Sequence, residues 1–363
     1  MQYWTLTVAS PRRSADFAAR AEAAGWHGML VVDSQNLSGD PYVALAMAAT
    51  TTSTLGLGTG VTNHVTRHPA VTASAIASIQ KLSNGRACLG IGRGDSALAH
   101  LGHAPGRLGA FEKTIQALQI YLAGGAVAFS DSGVAEDLAP PVADLHLADT
   151  PQESRIAWLS RDAERASADK VSVDKVSVEV AATGPKVIGI AARHADRIMF
   201  TLGADVERLE WGIATAREAA IAHGRDPAQL RFGAYINLAC HPQIEVARSL
   251  TQGGLTTFAR FSVMHGPIAG PVQAADAQVL EQLHDTYNMK QHTRGDSPQA
   301  QILTAEFIDR FAVVGDVATC RARIAELDAL GIDKLAISGP TFAAKSAAAQ
   351  HAARLLETEI LNP

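Results

Sequence analysis

Short apolar runs alternate with helical patterns along almost the whole chain, and this alternation limits the folds open to it. Eight runs are typical of β-strands: residues 3–9, 28–33, 55–62, 86–91, 176–183, 197–201, 230–240 and 334–338. Strands that alternate with helices are typical of parallel sheets built from βα units. The chain has 363 residues, enough for eight such units. The sequence therefore predicts an α/β fold, a (β/α)8 TIM barrel with insertions in a single domain.

Helical patterns separate these strands, and some of them have recognisable start and stop residues. We predict helices over residues 14–24, 41–51, 106–123, 206–223 and 341–361, and others that start at Pro69, at Ile244 and after Asp316. Pro69 suits the first turn of a helix, where its missing N–H is not needed. Asp316 is a candidate N-cap, and Gly331 is placed to end the helix that Asp316 starts.

Two segments interrupt the alternation. Residues 129–175 have scattered charges, two adjacent prolines and weak periodicity, so we predict an irregular insertion. A tandem DKVSV repeat at residues 169–173 and 174–178 favours a local duplication that lengthens a strand or a loop. Residues 251–298 are rich in Gly, Pro, His and Arg and are a candidate lid over a binding site.

The composition and charge exclude several classes of protein. The net charge is −5, which gives no basic surface for nucleic acid or an anionic membrane. No apolar run reaches the ~18 residues of a membrane span, and the N-terminal residues lack the pattern of a signal peptide. The three cysteines are far apart and odd in number, which argues against a disulfide framework. We therefore expect a cytoplasmic protein.

Two glycine-rich strand ends lie one βα unit apart, at residues 58–60 and 90–94. Both should open at the carboxyl edge of the sheet, where glycine lets a ligand approach the backbone closely. Gly92 and Gly94 flank Arg93, and Asp95 follows them; its carboxyl is a candidate general acid or base, or a contact to a cofactor ring. The alternative is that the glycines relieve crowding in a tight turn and that Asp95 caps the next helix.

Three further groups of polar residues follow predicted strands. Asp33-Ser34-Gln35-Asn36 ends the second strand and favours ligand contact, with simple helix capping as the alternative. His64 follows the third strand and is a candidate proton shuttle, although a lone histidine is more often structural. Thr183-Gly184-Pro185-Lys186 ends the fifth strand, where helix N–H groups and a lysine favour phosphate binding. The alternative there is an ordinary turn with a solvated lysine.

Motifs of several other enzyme classes are weak or absent. The spacing Gly92-x-Gly94-x-x-Ala97 matches a loose dinucleotide fingerprint, but three βα units precede it and the true motif normally opens its domain. His100-x-x-His103 has no accompanying Cys or Glu, so we predict no metal site. The sequence contains no nucleophile elbow, Walker loop or paired-cysteine motif, so hydrolase and kinase activities have no support.

Taken together, the motifs resemble those of the bacterial luciferase-like superfamily of flavin- and deazaflavin-dependent oxidoreductases, and within it the F420-dependent methylenetetrahydromethanopterin reductase group. The motifs that carry the resemblance are AEAAGW at 21–26, LGLGTGVTN at 55–63, RHPA at 67–70, LSNGR at 82–86, LGIGRGD at 89–95, TGPK at 183–186 and VGD at 314–316. The resemblance covers nearly the whole chain except residues ~129–175 and parts of 251–300.

The resemblance implies a TIM barrel with the cofactor at the carboxyl ends of the strands. It implies a non-proline cis peptide between Gly60 and Val61 against the cofactor ring, and an acidic residue near that ring at Asp95. The cofactor-binding residues that we predict on this basis are Gly60, Val61, Thr62, Asn63, Gly92, Gly94, Thr183, Gly184, Pro185 and Lys186. Asp95, Asp33, Ser34 and His64 are the predicted catalytic residues. Ser34 is a departure, because some F420-dependent dehydrogenases of the superfamily carry a catalytic histidine there.

The function implied by the resemblance is hydride transfer between coenzyme F420 and a small organic substrate, with FMN as the alternative cofactor. A second hypothesis is an FMN-dependent monooxygenase that uses molecular oxygen and a separate reductase. A third is a cofactor-binding protein without turnover, and a nicotinamide-dependent dehydrogenase is the weakest reading. Members of the superfamily commonly dimerise, so we expect a homodimer with no nucleic-acid or membrane partner.

Overall fold

The computed structural model describes residues 1–10, 12–132, 138–168 and 175–362, with backbone only at 163–168. The strands are β1 Gln2–Val8, β2 Gly28–Val32, β3 Gly56–Thr59, β4 Thr62–Asn63, β5 Ala87–Gly92, β6 Ala126–Ala128, β7 Glu153–Arg155, β8 Ser177–Ala182, β9 Arg197–Phe200, β10 Phe232–Cys240, β11 Val313–Gly315 and β12 Ile332–Ser338. The helices are α1 Ser14–Ala23, α2 Pro41–Thr51, α3 Pro69–Leu82, α4 Ser96–Ala99, α5 Leu108–Leu122, α6 Phe129–Ser132, α7 Ala157–Ala168, α8 Pro185–His194, α9 Val206–Ala222, α10 Ile244–Phe261, α11 Ala274–Thr286, α12 Ala305–Phe311, α13 Val317–Ala329 and α14 Ala347–Leu355.

The strand order confirms the predicted (β/α)8 barrel. Hydrogen-bonded neighbours follow the order β11-β10-β12-β1-β2-β3-β5-β8-β9, and β9 pairs with β10, which closes the sheet. The eight predicted strands correspond to β1, β2, β3, β5, β8, β9, β10 and β12. No helix within the described ranges is both long and apolar enough to cross a membrane.

The chain forms two compact units, and the first comprises Met1–Thr7, Asp16–Leu30 and Glu179–Pro363. In it β10 lies between β9 and β12 in parallel register, and all nine of its residues are buried. Asp316 caps α13 as predicted, because its carboxylate accepts the N–H of Thr319 at 2.8 Å. Glu179, Arg197 and Lys334 form a buried charged cluster on three strands of this unit.

The second unit comprises Val8–Ala15 and Val31–Val178. Its parallel strands β3 and β4 both pair with β5, with Thr62 opposite Ile91 and Asn63 opposite Gly92. The short strands β6 and β7 form a separate antiparallel pair. The prediction that the whole chain is a single domain stays a prediction.

The segment predicted as an irregular insertion is more regular than its sequence indicated. Residues 126–128 and 153–155 pair as strands, and α7 spans Ala157–Ala168. The helix was missed because its two large apolar residues, Trp158 and Leu159, both lie in its first turn and its other apolar residues are alanines. Its Ala, Glu and Arg residues nevertheless favour helix formation. The first DKVSV copy lies outside the described residues, and the end of the second begins β8.

Two other predicted elements differ in their bounds. The third predicted strand is broken into β3 and β4 around Gly60 and Val61. The closing helix starts at Ala347 instead of residue 341, because the Ser346 hydroxyl accepts the N–H of Ala349 at 3.2 Å and caps it there.

The candidate lid over residues 251–298 consists largely of packed helix. Residues 251–261 belong to α10, and Leu255 packs with Val279 and Leu280 of α11 in a buried apolar cluster. The Arg208 side chain of α9 donates hydrogen bonds to the carbonyls of Ala269 at 2.9 Å and Pro271 at 2.8 Å. The role of this segment as a lid stays a prediction.

Candidate active site

The glycine-rich strand ends of the second unit pack too closely for side chains. A Cβ atom at Gly90 would lie 2.1 Å from the carbonyl oxygen of Thr59, whose hydroxyl donates to the carbonyl of Gly90 at 2.7 Å. Gly94 has a φ of +82°, a conformation that disfavours other residues, and a Cβ atom there would lie 2.7 Å from Leu98 Cδ1. Crowding therefore explains glycine at these two positions whether or not a ligand is also present.

The peptide bond between Gly60 and Val61 is cis, which confirms the expectation that the resemblance gave for this bond. The N–H of Gly60 donates to the carbonyl of Val31 at 2.8 Å. After the bond, the Asn63 side-chain carbonyl accepts the N–H groups of Val65 and Thr66, both at 3.0 Å, and so forms a turn. The bonds on both sides hold the backbone of this segment in one conformation.

Asp33 is the buried centre of a charged network that extends through Arg67 to the exposed Asp40. One of its carboxylate oxygens, Oδ2, accepts the hydroxyl of Thr62 at 2.6 Å and forms an ion pair with Arg67. Arg67 also pairs with Asp40 at 2.7 Å, and its guanidinium carbon lies 5.1 Å from the centre of the Tyr42 ring. The side chain of Asp33 is only 1% exposed, so the ion pair is largely shielded from water.

Burial and the neighbouring charges shift the pKa values of two groups in this network. Burial opposes the charge on Arg67, but its hydrogen bonds to Asp33 and Asp40 outweigh burial and raise the pKa of the guanidinium. Burial also raises the pKa of the Tyr42 phenol. Arg67 therefore stays protonated and Tyr42 neutral over the physiological pH range.

The rest of the polar run after β2 binds the segment around α4. The hydroxyls of Ser34 and Ser96 lie 3.0 Å apart. The amide of Gln35 donates to the carbonyl of Ala97 at 2.9 Å, and that of Asn36 to the carbonyl of His100 at 3.3 Å. These side chains therefore bridge two loops, and their contact with a ligand stays a prediction.

Asp95 lies directly before α4, as its sequence position predicts. Its carbonyl accepts the N–H groups of Leu98 at 3.1 Å and Ala99 at 2.8 Å, so the backbone of Asp95 starts the helix. Its carboxylate makes no capping hydrogen bond to α4. The side chain of Asp95 therefore does not cap α4, which was the alternative considered from the sequence. The catalytic role of Asp95 stays a prediction.

His64 lies in a tightly packed and largely apolar environment. Its ring centre is 5.2 Å from that of Phe111, and a Cβ atom at Gly106 would lie 2.1 Å from its Cε1 atom. Burial, with a smaller contribution from the positive charge of Arg93, lowers the pKa of His64 to about 4. The imidazole is therefore neutral at pH 7, where it is able to accept a proton or a hydrogen bond.

The low pKa of His64 predicts a loss of stability in mild acid. In the unfolded chain the pKa of a histidine is about 6.5, so below that pH the unfolded state binds the proton more readily. The contribution of neutral His64 to the free energy of unfolding should be fully present above pH 6.5. It should fall by ~1–2 kcal/mol as the pH drops to about 4, after allowance for solvent screening. In thermal unfolding at pH 7.5 and 4.5, His64→Asn should lose less stability on acidification than the wild type. The exposed control His103→Asn should behave like the wild type, and equal losses in both variants would contradict the prediction.

The predicted phosphate-binding residues lie in the first unit, at the end of β8 and the start of α8. Gly184 precedes α8 without a side-chain cap, and a Cβ atom there would meet no atom within 4 Å. The Thr183 hydroxyl bonds to that of Thr201 at the end of β9. Pro185 occupies the first turn of α8, and Lys186 is exposed. The space above a helix N-terminus fits an anion, and phosphate binding stays a prediction.

Several buried polar atoms at the strand ends of the second unit lack hydrogen-bond partners among the described residues. They include Asp33 Oδ1, Asn63 Nδ2 and His64 Nδ1. Because Asn63 Oδ1 binds two backbone N–H groups, the orientation of its amide is fixed and Nδ2 is a donor. Donors and acceptors left in this way fit a ligand with both kinds of group, as a flavin or deazaflavin ring has.

Sequence reasoning gave Arg67 no role of its own in this site and missed Asp40. Arg67 stands in the RHPA motif and Asp40 precedes Pro41, which starts α2. The available signal was that each charge lies next to a strand end or a helix start. That signal gives the location of both charges but not the fact that Arg67 pairs with both Asp33 and Asp40.

Comparisons with known proteins identify the family. The luciferase-like monooxygenase family model matches residues 2–334. The chain is 25% identical over 337 residues, 90% of each chain, to the 5,10-methylenetetrahydromethanopterin reductase of Methanolobus tindarius. Its fold is similar to that of the coenzyme F420-dependent tetrahydromethanopterin reductase of Methanopyrus kandleri, with a TM-score of 0.69, 19% identity, and coverage of 99% and 98% of the two chains. It is also similar to a monooxygenase from Streptomyces bottropensis, with a TM-score of 0.59, 19% identity and 99% of each chain covered. The protein therefore belongs to the luciferase-like monooxygenase family.

Proposed function

We propose that this protein is an oxidoreductase that uses coenzyme F420 to transfer a hydride to or from a small organic substrate. The observation that carries the proposal is the set of buried polar atoms without partners on Asp33, Asn63 and His64. Such atoms are costly unless a ligand or water completes their hydrogen bonds. The F420-dependent reductase with a similar fold supports the choice of cofactor.

In this proposal the strand ends of the second unit hold the cofactor ring. The backbone that lines it belongs to Gly60, Val61, Thr62, Asn63, Gly92 and Gly94. A bound deazaflavin supplies the hydride chemistry, which no amino-acid side chain provides. Asp95 holds or moves a proton at its carboxylate, and neutral His64 offers a hydrogen-bonding nitrogen within an apolar shell.

The first test is a fluorescence titration of the purified apoprotein with F420 and with FMN. We expect saturable binding of F420 and much weaker binding of FMN. Tight FMN binding with weak F420 binding would favour the monooxygenase below. If neither binds, the proposed function is wrong. F420 binding without turnover on a substrate panel would favour the third reading, a binding protein.

The second candidate function is an FMN-dependent monooxygenase that receives reduced flavin from a separate reductase. The similarity to the Streptomyces monooxygenase over 99% of both chains favours it. Oxygen uptake with reduced FMN would support this function, since a hydride-transferring F420 enzyme consumes no oxygen.

Lys186 is part of the proposal as a ligand for the phosphate end of the cofactor. We expect Lys186→Ala to weaken cofactor binding by about 10–100-fold, the loss of one charge-assisted hydrogen bond. Lys186→Arg should retain most of the affinity, because it keeps the charge. The exposed Lys113, which pairs with Asp131 at 3.7 Å, supplies the control Lys113→Ala. An unchanged Kd in Lys186→Ala would leave the solvated-lysine alternative in place.

We also propose that the protein is a homodimer that pairs through α2 and α3. These neighbouring helices contain one charged residue, Lys81, yet expose Val43, Met47 and Val71. An apolar helix face in water usually marks an interface. In a twofold dimer each surface meets a copy of itself, so a face almost free of charge suits a second copy of this chain.

This interface predicts that one added charge will dissociate the dimer. Met47 is 43% exposed, and Met47→Lys would place two positive charges in the same contact. We expect the dissociation constant to rise by about 100-fold or more, because like charges in an interface cost several kcal/mol. Ile221 is 64% exposed on α9, so Ile221→Lys is a matched control that should stay dimeric in light scattering. A monomeric wild type, or a dimeric Met47→Lys, would contradict the interface.

A further inference from the structure

The four residues after β2, the polar run (residues 33–36), lie between two segments that the proposed function places against the cofactor. These are the Gly60 segment (residues 60–63) and the Asp95 loop (residues 93–100). We propose that the polar run fixes the positions of both segments, and that Asp33 and Ser34 are therefore positioning residues. The functional meaning of this inference rests on the proposed function.

Asp33 holds the Gly60 segment at its C-terminal side. Thr62 belongs to the segment itself and donates its hydroxyl to Asp33 at 2.6 Å. Arg67 follows the segment by four residues and forms an ion pair with the same carboxylate oxygen. Because Asp33 Oδ2 has both partners, a displacement of the Gly60 segment would break bonds to a buried charge, which is costly.

Arg67 connects this contact to the helix layer. Its second nitrogen binds Asp40, which uses its other carboxylate oxygen to cap α2 by accepting the N–H groups of Tyr42 at 2.8 Å and Val43 at 3.2 Å. The Gly60 segment is thus tied through two carboxylates to the start of a regular helix. A capped helix start is a rigid part of the fold, so these contacts limit the movement of the Gly60 segment.

The other three residues of the polar run hold the Asp95 loop. They bind Ser96, Ala97 and His100 at 3.0, 2.9 and 3.3 Å. The helix that these contacts hold, α4, has four residues and cannot be stable without tertiary contacts. The position of the Asp95 carboxylate at its start therefore depends on the polar run.

Ser34 acquires a role from this arrangement. Its hydroxyl bonds to that of Ser96, the residue after Asp95, at 3.0 Å. Ser34 thus acts on Asp95, the proposed proton-transferring residue, through the backbone of Ser96. We expect Ser34→Ala to lower kcat without weakening cofactor binding, and Ser34→Thr to restore kcat because it keeps the hydroxyl.

The decisive experiment is hydrogen–deuterium exchange on the full-length protein without cofactor. Ser34→Ala combined with Gln35→Ala should speed exchange about tenfold in residues 93–103 and leave residues 60–68 unchanged. Asp33→Asn, which keeps the side-chain shape, should give the reverse pattern. Ser38→Ala is the control: Ser38 lies in the same turn, and its hydroxyl bonds to the neighbouring carbonyl of Gly39 at 3.4 Å.

Two outcomes would overturn the inference: unchanged exchange in both segments, or faster exchange throughout the chain, which would indicate general destabilisation. Because the exchange is measured without cofactor, its result does not depend on the proposed function. A wild type that binds neither F420 nor FMN would remove the proposed function and leave the exchange result to decide the positioning role.

Discussion

Replacing Asp95 by asparagine should slow turnover by about 10²–10⁴-fold, the usual contribution of a general acid or base. Asparagine keeps the shape of the side chain but cannot exchange a proton. The backbone of Asp95 starts α4 through its carbonyl, which the substitution preserves. The local fold should therefore survive, and cofactor affinity should change by less than about threefold.

Steady-state kinetics and a cofactor titration on the same preparations would test this prediction. Asp131→Asn is the matched control, since Asp131 is an exposed aspartate of the same unit, outside the proposed site. It should leave kcat and cofactor affinity unchanged. A kcat for Asp95→Asn equal to that of the wild type would exclude the acid–base role. A large loss of cofactor affinity with a normal kcat would make Asp95 a binding residue instead.

The sequence was sufficient to predict the barrel because its cues are local. Each strand is a short apolar run, and residues such as Pro41, Pro69 and Asp316 start helices at the predicted places. These cues failed where the structure does not follow the local hydrophobic pattern. Helix α7 has only two large apolar residues, both in its first turn, and Ser346 caps the last helix later than hydrophobicity indicated.

The candidate site was predictable only in part. The glycines of β5 and the bond between Gly60 and Val61 were found because they belong to contiguous motifs. The pairing of Arg67 with Asp33 could not be read in the same way, because 34 residues separate them and a charge in a loop has many partners available to it. The direction in which Ser34, Gln35 and Asn36 point depends on tertiary packing, which single-residue patterns do not encode.

The charged cluster in the first unit is a second feature that the sequence did not reveal, although a signal for it exists. Glu179 is the single charge in the largely apolar strand SVEVAA, and Lys334 follows Asp333 in the strand IDKLAIS, 155 residues after Glu179. A charge in a strand that is largely buried requires a partner of the opposite sign. Two such strands in one barrel therefore favour a pair, even though their register is unknown.

Glu179 makes hydrogen bonds to both cations of this cluster. Its carboxylate accepts hydrogen bonds from Lys334 at 2.7 and 3.0 Å and from Arg197 at 3.2 Å. The Lys334 ammonium also lies 3.4 Å from the centre of the Trp4 ring. All three charged side chains are 5% exposed or less, so water cannot replace the carboxylate if it is removed.

Glu179→Leu should therefore lower the free energy of unfolding by about 3–5 kcal/mol, because it removes the carboxylate that pairs with buried Lys334 and leaves Arg197 with Asp333 alone of its two carboxylates. That is a large part of the ~5–15 kcal/mol that stabilises an ordinary domain. The double variant Glu179→Leu with Lys334→Met should recover much of the loss, since apolar replacement of a buried pair is often tolerated. Glu153→Leu, which breaks the exposed pair with Arg155 at 2.7 Å, should cost no more than about 1 kcal/mol. Urea unfolding of the four proteins measures these differences, and a cost for Glu179→Leu as small as that of Glu153→Leu would show that the cluster contributes little to stability.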